Sequence, residues 1–186
     1  HVLRAVHRAT PFGLFAGVAP AAFGSRPAVR WGQDHHAVTR PAAGWLAATV
    51  TSLETCPELL GRLPVTASNL CTIRGGRLVT ASQQHIGPGD GDTSQAAPVE
   101  ISVRRTRAAE DALRYARSPI VMRDLAAKLA AGFPGTPQPV IETMLTELVR
   151  LRLLLTSLRP PMTVTDPLTH VLVQLDAAGA GGLPQR

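Results

Sequence analysis

The residue types best suited to chemistry stand near the start of the chain, where Arg4, Arg8 and Thr10 fall within one short stretch. Arg4 and Arg8 are four residues apart, so a helix brings their guanidinium groups out side by side. Guanidinium groups offer paired donors to phosphate or carboxylate and stay charged at any working pH. Such a pair suits a phosphate or carboxylate group that must be held still. Positioning two substrates lowers a barrier without a protein nucleophile, and no Ser-His-Asp set or Cys-His pair is recognisable. Arg40 is a further candidate for phosphate. Thr10, just before Pro11, reads on its own as a turn residue.

The charge of the whole chain points the same way. Its 186 residues carry a net charge of +6, and of 19 basic residues only Lys128 is a lysine. A GC-rich codon bias would raise Ala, Arg, Gly and Pro together, but placement adds to that reading. Over residues 1–53, Arg4, Arg8, Arg26, Arg30 and Arg40 stand against a single acid, Asp34. An anionic partner is expected there. Phe12 and Phe15 could stack on a base, yet with only 4% aromatic residues they read better as core anchors. Arg104, Arg105 and Arg107 fit phosphate contacts and a solvated strand end equally well.

Other classes are excluded or demoted. The apolar runs at 12–18 and 151–155 fall short of the roughly 20 residues that a membrane-spanning helix needs. Cys56 and Cys71 have neither CxxC spacing nor the density of a disulfide scaffold, so free thiols in a cytoplasmic protein are expected. His35-His36 lacks a third ligand at a suggestive spacing and reads as loop, so no metal is expected. GDGDTS, over residues 90–94 and its preceding glycine, has neither the Gly-Lys-Ser/Thr of a phosphate loop nor the terminal Glu of a calcium loop. The chain opens on His1 and reads as a piece of a longer protein.

The elements that must position these residues follow from periodicity. Residues 1–9 read as a helix, Gly13 permits a turn, and LFAGV reads as a buried strand. Further strands and loops are expected over 25–40, and a short helix over 44–53 around Trp45 and Leu46. A strand pair is expected at 64–69 and 71–80, turned by Gly75-Gly76. The Gly-rich segment 87–98 divides the chain. Beyond it come a strand at 99–103, a helix capped by Thr106 that ends before Ser118-Pro119, and a helix from Met122 stopped by Gly132. Thr136-Pro137 then signals a third helix to about Arg150, followed by a strand at 153–156. Strand, helix, helix, turn, helix, strand is the order of a winged helix-turn-helix. The expected fold is therefore α+β: a mixed amino-terminal part (1–86), a loop (87–98), a winged helix-turn-helix-like module (99–157) and a tail (158–186) that leads into the remainder of the parent protein.

Arg4-x-x-x-Arg8-x-Thr10-Pro11-Phe12-Gly13 resembles the amino-terminal region of the lantibiotic dehydratase family, with six of ten motif positions fixed. Trp45-Leu46, Asn69, Arg74-Gly75-Gly76-Arg77, Ser102-Val103-Arg104-Arg105-Thr106, 148–161 and Asp166-Pro167-Leu168 extend the resemblance in order over nearly the whole chain. It implies the glutamylation half of a peptide-modifying enzyme, in which glutamyl-tRNA is the co-substrate that esterifies Ser and Thr of a precursor peptide, and no other cofactor is needed. A separate elimination domain completes the reaction, so the fragment alone is expected to be inactive. Arg4, Arg8 and Thr10 take the catalytic positions, and Arg4, Arg8 and Arg40 the tRNA phosphates. One position departs: Ala42 stands where the family commonly has Asp ahead of its Trp-Leu.

The resemblance also implies a leader-peptide site in the winged module, where the leader adds as a strand. Leu153, Leu154 and Leu155 are taken as the receiving edge, with Val140, Met144 and Leu148 as the floor of the groove. The partners expected are the precursor peptide, an aminoacyl-tRNA and either a second copy or an elimination-domain partner. Two alternatives stand beside this reading: an aminoacyl-tRNA-dependent peptide ligase of the same family, and a peptide- or DNA-binding winged-helix module without catalysis. The outward residues Glu142, Thr143, Thr146 and Glu147 on the third helix argue against DNA, because two acids would face phosphates.

Overall fold

A computed structural model describes residues 21–28, 39–82 and 99–182, and the chain forms two units, 1–38 and 39–186. In the first unit the described residues carry a bend and no helix or strand. Arg4, Arg8, Thr10, Phe12, Phe15, His35, His36 and the segment 87–98 all lie outside the described residues. The second unit mixes helices and strands, as the α+β expectation requires.

It begins with α1 (Ala43–Leu53), whose Leu46 and Val50 are one turn apart and buried. A short turn, α2 (Pro57–Leu60), follows, with proline in its first turn and both leucines buried. Strand β1 (Pro64–Ala67) then enters the centre of a three-stranded antiparallel sheet. Its neighbours are β5 (Ile120–Val121) and β6 (Leu154–Thr156), so the sheet order is β5-β1-β6. The expected partner of residues 64–69 was the stretch 71–80, and that pairing does not form. Val65, wholly buried, pairs with Ile120 and Thr156 instead. An apolar strand with two available flanks gains more by entering the core sheet than by closing a local hairpin.

The stretch 71–80 folds with its other neighbour. Strands β2 (Thr72–Arg74), β3 (Arg77–Ser82) and β4 (Val99–Arg104) make a second antiparallel sheet in the order β2-β3-β4. The β2–β3 turn is Gly75-Gly76, with φ of 53° and 77°. Two successive positive φ values are what a two-residue hairpin turn matched to strand twist demands, and glycine adopts them without strain.

Three helices pack behind β1 and β6. Helix α3 (Arg107–Tyr115) is capped by Thr106, whose hydroxyl accepts from the Ala109 N–H at 3.2 Å. Helix α4 (Met122–Gly132) buries Met122, Leu125, Ala126 and Leu129 at the spacing of one helical face. Helix α5 (Gln138–Arg150) does the same with Ile141, Leu145, Leu148 and Val149. Two boundary expectations change here. Gly132 is the last helical residue and has no left-handed φ, the helix being closed by Phe133 donating to the Ala130 and Leu129 carbonyls. Pro137, rather than Thr136, occupies the cap of α5. Finally α6 (Pro167–Ala177) is capped by Asp166 and buries Val171. The leucines of α1, α2, α4, α5 and β6 share one core. Among the described residues no helix is long and apolar enough to cross a membrane.

Candidate functional site

Of Arg4, Arg8 and Arg40, the three residues expected to meet the tRNA phosphates, Arg40 is the described one. It lies at the mouth of a cleft of about 350 Å³ floored by Leu46 and Val50 of α1 and walled by Pro160, Val164 and Pro167. Asp166 lies in the chain between two lining residues, Thr165 and Pro167. Its carboxyl is held below the usual carboxylate range first by the Thr169 N–H, then by the Thr169 hydroxyl, with the charge of Arg40 a smaller contributor. Ala42 caps α1 between Pro41 and Ala43, which both line the cleft, and it makes no side-chain capping hydrogen bond. The departure noted in the sequence therefore sits at the entrance of the Arg40 cleft and at a helix N-terminus, where an acid would be favoured on electrostatic grounds.

The six residues expected to receive a peptide divide sharply. Val140 is 55% exposed, and Met144 and Leu155 are partly exposed. Leu148, Leu153 and Leu154 belong to the core. Leu155 points its backbone at β1, and the two residues of β6 whose backbone groups turn the other way, Leu154 with no exposure and Thr156 with 3%, are closed to an added strand. The receiving edge is therefore not at 153–155. Consecutive leucines there pack against the helices on one side and the α1 region on the other, which an alternating pattern would not have allowed.

An accessible edge exists on β4, to which only β3 pairs. The Arg105 N–H donates to the Gly76 carbonyl, and Leu78 stands opposite Val103 and Thr80 opposite Ile101. In an antiparallel ladder this makes 76/105, 78/103 and 80/101 the hydrogen-bonded pairs. Glu100, Ser102 and Arg104 accordingly turn their backbone groups away from β3, and all three residues are exposed.

Sequence reasoning missed a buried ionic cluster. Glu54, just past α1 and 6% exposed, accepts from Arg152 Nη1 at 2.8 Å, from Arg159 Nε at 3.1 Å and from the Thr156 hydroxyl at 2.6 Å. Thr51 Oγ1 accepts from both arginines. Burial alone would raise the Glu54 pKa, but donors from Arg159, Thr156 and Arg152 outweigh it and hold the carboxyl below the usual range. No motif encodes this, because its members are about a hundred residues apart. The one available signal was a lone glutamate among the apolar residues of a helix end. Arg152 carries the one positive φ of a non-glycine among the described residues, 63°.

A groove of about 650 Å³ between the β1–β2 link and α3 holds none of the expected site residues, and its Asp111 and Glu110 are taken up by Arg114 and Arg105. On α5, Glu142, Thr143, Thr146 and Glu147 are exposed as expected, and Glu147 pairs with Arg150. That face is unsuited to a nucleic-acid backbone.

Comparisons with known proteins agree with one another. The family profile described as Lantibiotic dehydratase, N terminus, matches residues 1–184. Subtilin biosynthesis protein SpaB of Bacillus subtilis is 27% identical over 178 residues, 95% of this chain and 16% of SpaB. The crystal structure of the tRNA dependent lantibiotic dehydratase MibB from Microbispora sp. 107891 superposes with a TM-score of 0.64 at 31% identity, over 77% of this chain and 13% of MibB. The chain thus spans less than a fifth of the length of each relative.

Proposed function

Because the chain belongs to the lantibiotic dehydratase family, within its amino-terminal region, we propose that it is the aminoacyl-transfer part of an enzyme that esterifies Ser and Thr of a precursor peptide from glutamyl-tRNA. The observation that carries this is the superposition on a dehydratase described as tRNA dependent, at 31% identity over 77% of the chain. The arginine motif supplies the chemistry. Arg4 and Arg8 grip the charged end of the tRNA and Thr10 lines the reacting ester, while Arg40 holds a phosphate at its cleft. Catalysis by positioning and electrostatics suits a set of guanidinium groups without a nucleophile. A cytoplasmic setting, where charged tRNA is made, follows from the same reading.

The peptide half of the reading moves with the geometry. Residues 99–157 together with β1 form the leader-binding module, a winged helix-turn-helix in this reading, and the leader adds along β4, where the backbone groups of Glu100, Ser102 and Arg104 turn away from β3 and only the Ser102 carbonyl is already engaged, by Arg77. Ala42 favours a second reading, a ligase that joins an amino acid from charged tRNA to a peptide, since alanine can neither ionise nor accept a hydrogen bond. The intact parent enzyme given glutamyl-tRNA and its precursor peptide separates the two: glutamyl esters on Ser or Thr support transfer to side chains, and an added residue in amide linkage supports ligation. In that assay Arg8→Ala abolishes glutamyl transfer and leaves leader binding intact. Transfer at the original rate would overturn the site assignment.

A further inference from the structure

The second sheet carries an arrangement of charge that the fold does not require. Arg74 stands directly opposite Arg77, and Arg77 directly opposite Arg104, so one row of three arginines crosses β2, β3 and β4. Residues directly opposite share a face of the sheet, and like charges so placed oppose folding. By the ladder pattern 74/77 is a bonded pair and 77/104 an unbonded one, which puts the three Cα atoms within about 10 Å. Compensation is thin. Arg74 has Glu100 at 2.9 Å. Arg77 spends its donors on Ser102, on Oγ at 2.9 Å and on the backbone carbonyl at 2.8 Å. Arg104 has no ion pair among the described residues.

The geometry points to this row as a docking face for the phosphate backbone of RNA, and resting on the tRNA-dependent reading above, it is a contact for the body of the tRNA rather than its reacting end. Direction and charge density decide the partner. A leader peptide added to β4 runs along the strands, so it passes Arg104 and Arg77 and cannot reach Arg74, two strands away. A chain with closely repeated charge that crosses the strands meets all three. Nothing crowds the Gly75-Gly76 turn beside Arg74 and Arg77, where a Cβ would meet no atom within 4 Å. A backbone can approach closely there.

The test is binding of labelled, uncharged tRNA by the 186-residue chain across a salt series. Each phosphate contact contributes about 0.7–0.9 to the slope of log affinity against log salt. The variant R74Q/R77Q/R104Q should lower that slope by about 2 and weaken binding more than about tenfold at low salt, as expected for three lost contacts. A control with the same loss of charge elsewhere, R114Q/R117Q/R123Q, should change the slope by less than about 1, the value of one contact. If the triple variant fails to fold, R104Q alone still removes the unpartnered arginine and about one contact. Equal effects from both sets, unchanged binding by the row variant, no tRNA binding by the wild type, or loss of an acidic peptide in place of tRNA would each overturn the inference. Failure of glutamyl transfer with the row effect intact overturns only the proposed reaction.

Discussion

Glu54 and Arg159 are 105 residues apart in sequence, and the Arg159 Nε donates to Glu54 Oε1 at 3.1 Å in a nearly closed interior. The pair joins the end of α1 to the segment beyond β6, and Arg152 makes the same carboxylate a two-arginine hub. Removing the acid leaves two guanidinium groups, each about one-fifth exposed, without their charged partner and with only the Thr51 hydroxyl as a shared acceptor. Glu54→Gln should therefore destabilise the second unit by about 3–5 kcal/mol, measured by urea unfolding at neutral pH.

The same carboxylate predicts a pH dependence. Its folded pKa lies below the ordinary 4.5, so its contribution is fully present above that value and is lost as pH falls through the lower folded pKa. Wild-type stability should drop over this acid range more steeply than that of Glu54→Gln. Parallel curves would show that the hub does not titrate on folding.

A second prediction separates core from surface on the elements first assigned to the peptide. Leu154 has no exposure, and a charge there enters the core shared by α4, α5 and β1, so Leu154→Asp should unfold the chain. Val140→Asp, at a position 55% exposed, should change stability by less than about 0.5 kcal/mol. Circular dichroism melts of the two variants check both. Loss of peptide binding by Leu154→Asp accordingly reports unfolding and not a contact.

Thr106 gives a calibrated third case. Its hydroxyl satisfies the Ala109 N–H at the start of α3, and Thr106→Ala should cost about 1 kcal/mol. Thr106→Ser should restore most of it, which a packing role for the methyl group would not allow.

What the sequence revealed follows the range of the forces involved. The Thr106 cap, the Gly75-Gly76 turn and the apolar faces of α4 and α5 are set by residues within a few positions, and all were legible. The partner of β1 was not, because Val65 chooses between a nearby strand and two strands more than 50 residues away, and only the assembled core decides. The Glu54 hub was hidden for the same reason. In the candidate site, Arg40 and Ala42 were legible as residues, but the cleft beside them is closed by the return of the chain at Pro160, Val164, Thr165 and Pro167. The leucines at 153–155 misled because apolarity alone does not distinguish a strand that receives a partner from one sealed inside.

Ala42 allows the last prediction, and it separates structure from chemistry. As the cap residue of α1 it leaves the first helical N–H groups without a side-chain acceptor. Both Ala42→Asp and Ala42→Ser supply one, and each should stabilise the second unit by about 1 kcal/mol, read as a shift of the urea midpoint. Only aspartate adds a charge at the mouth of the Arg40 cleft. If an acid there orients Arg40 or the acceptor hydroxyl, Ala42→Asp raises tRNA-dependent transfer in the parent enzyme and Ala42→Ser does not. Equal gains from the two variants would assign the position to helix capping alone, and a midpoint shift without any gain in transfer would remove the acid from the reaction in this protein.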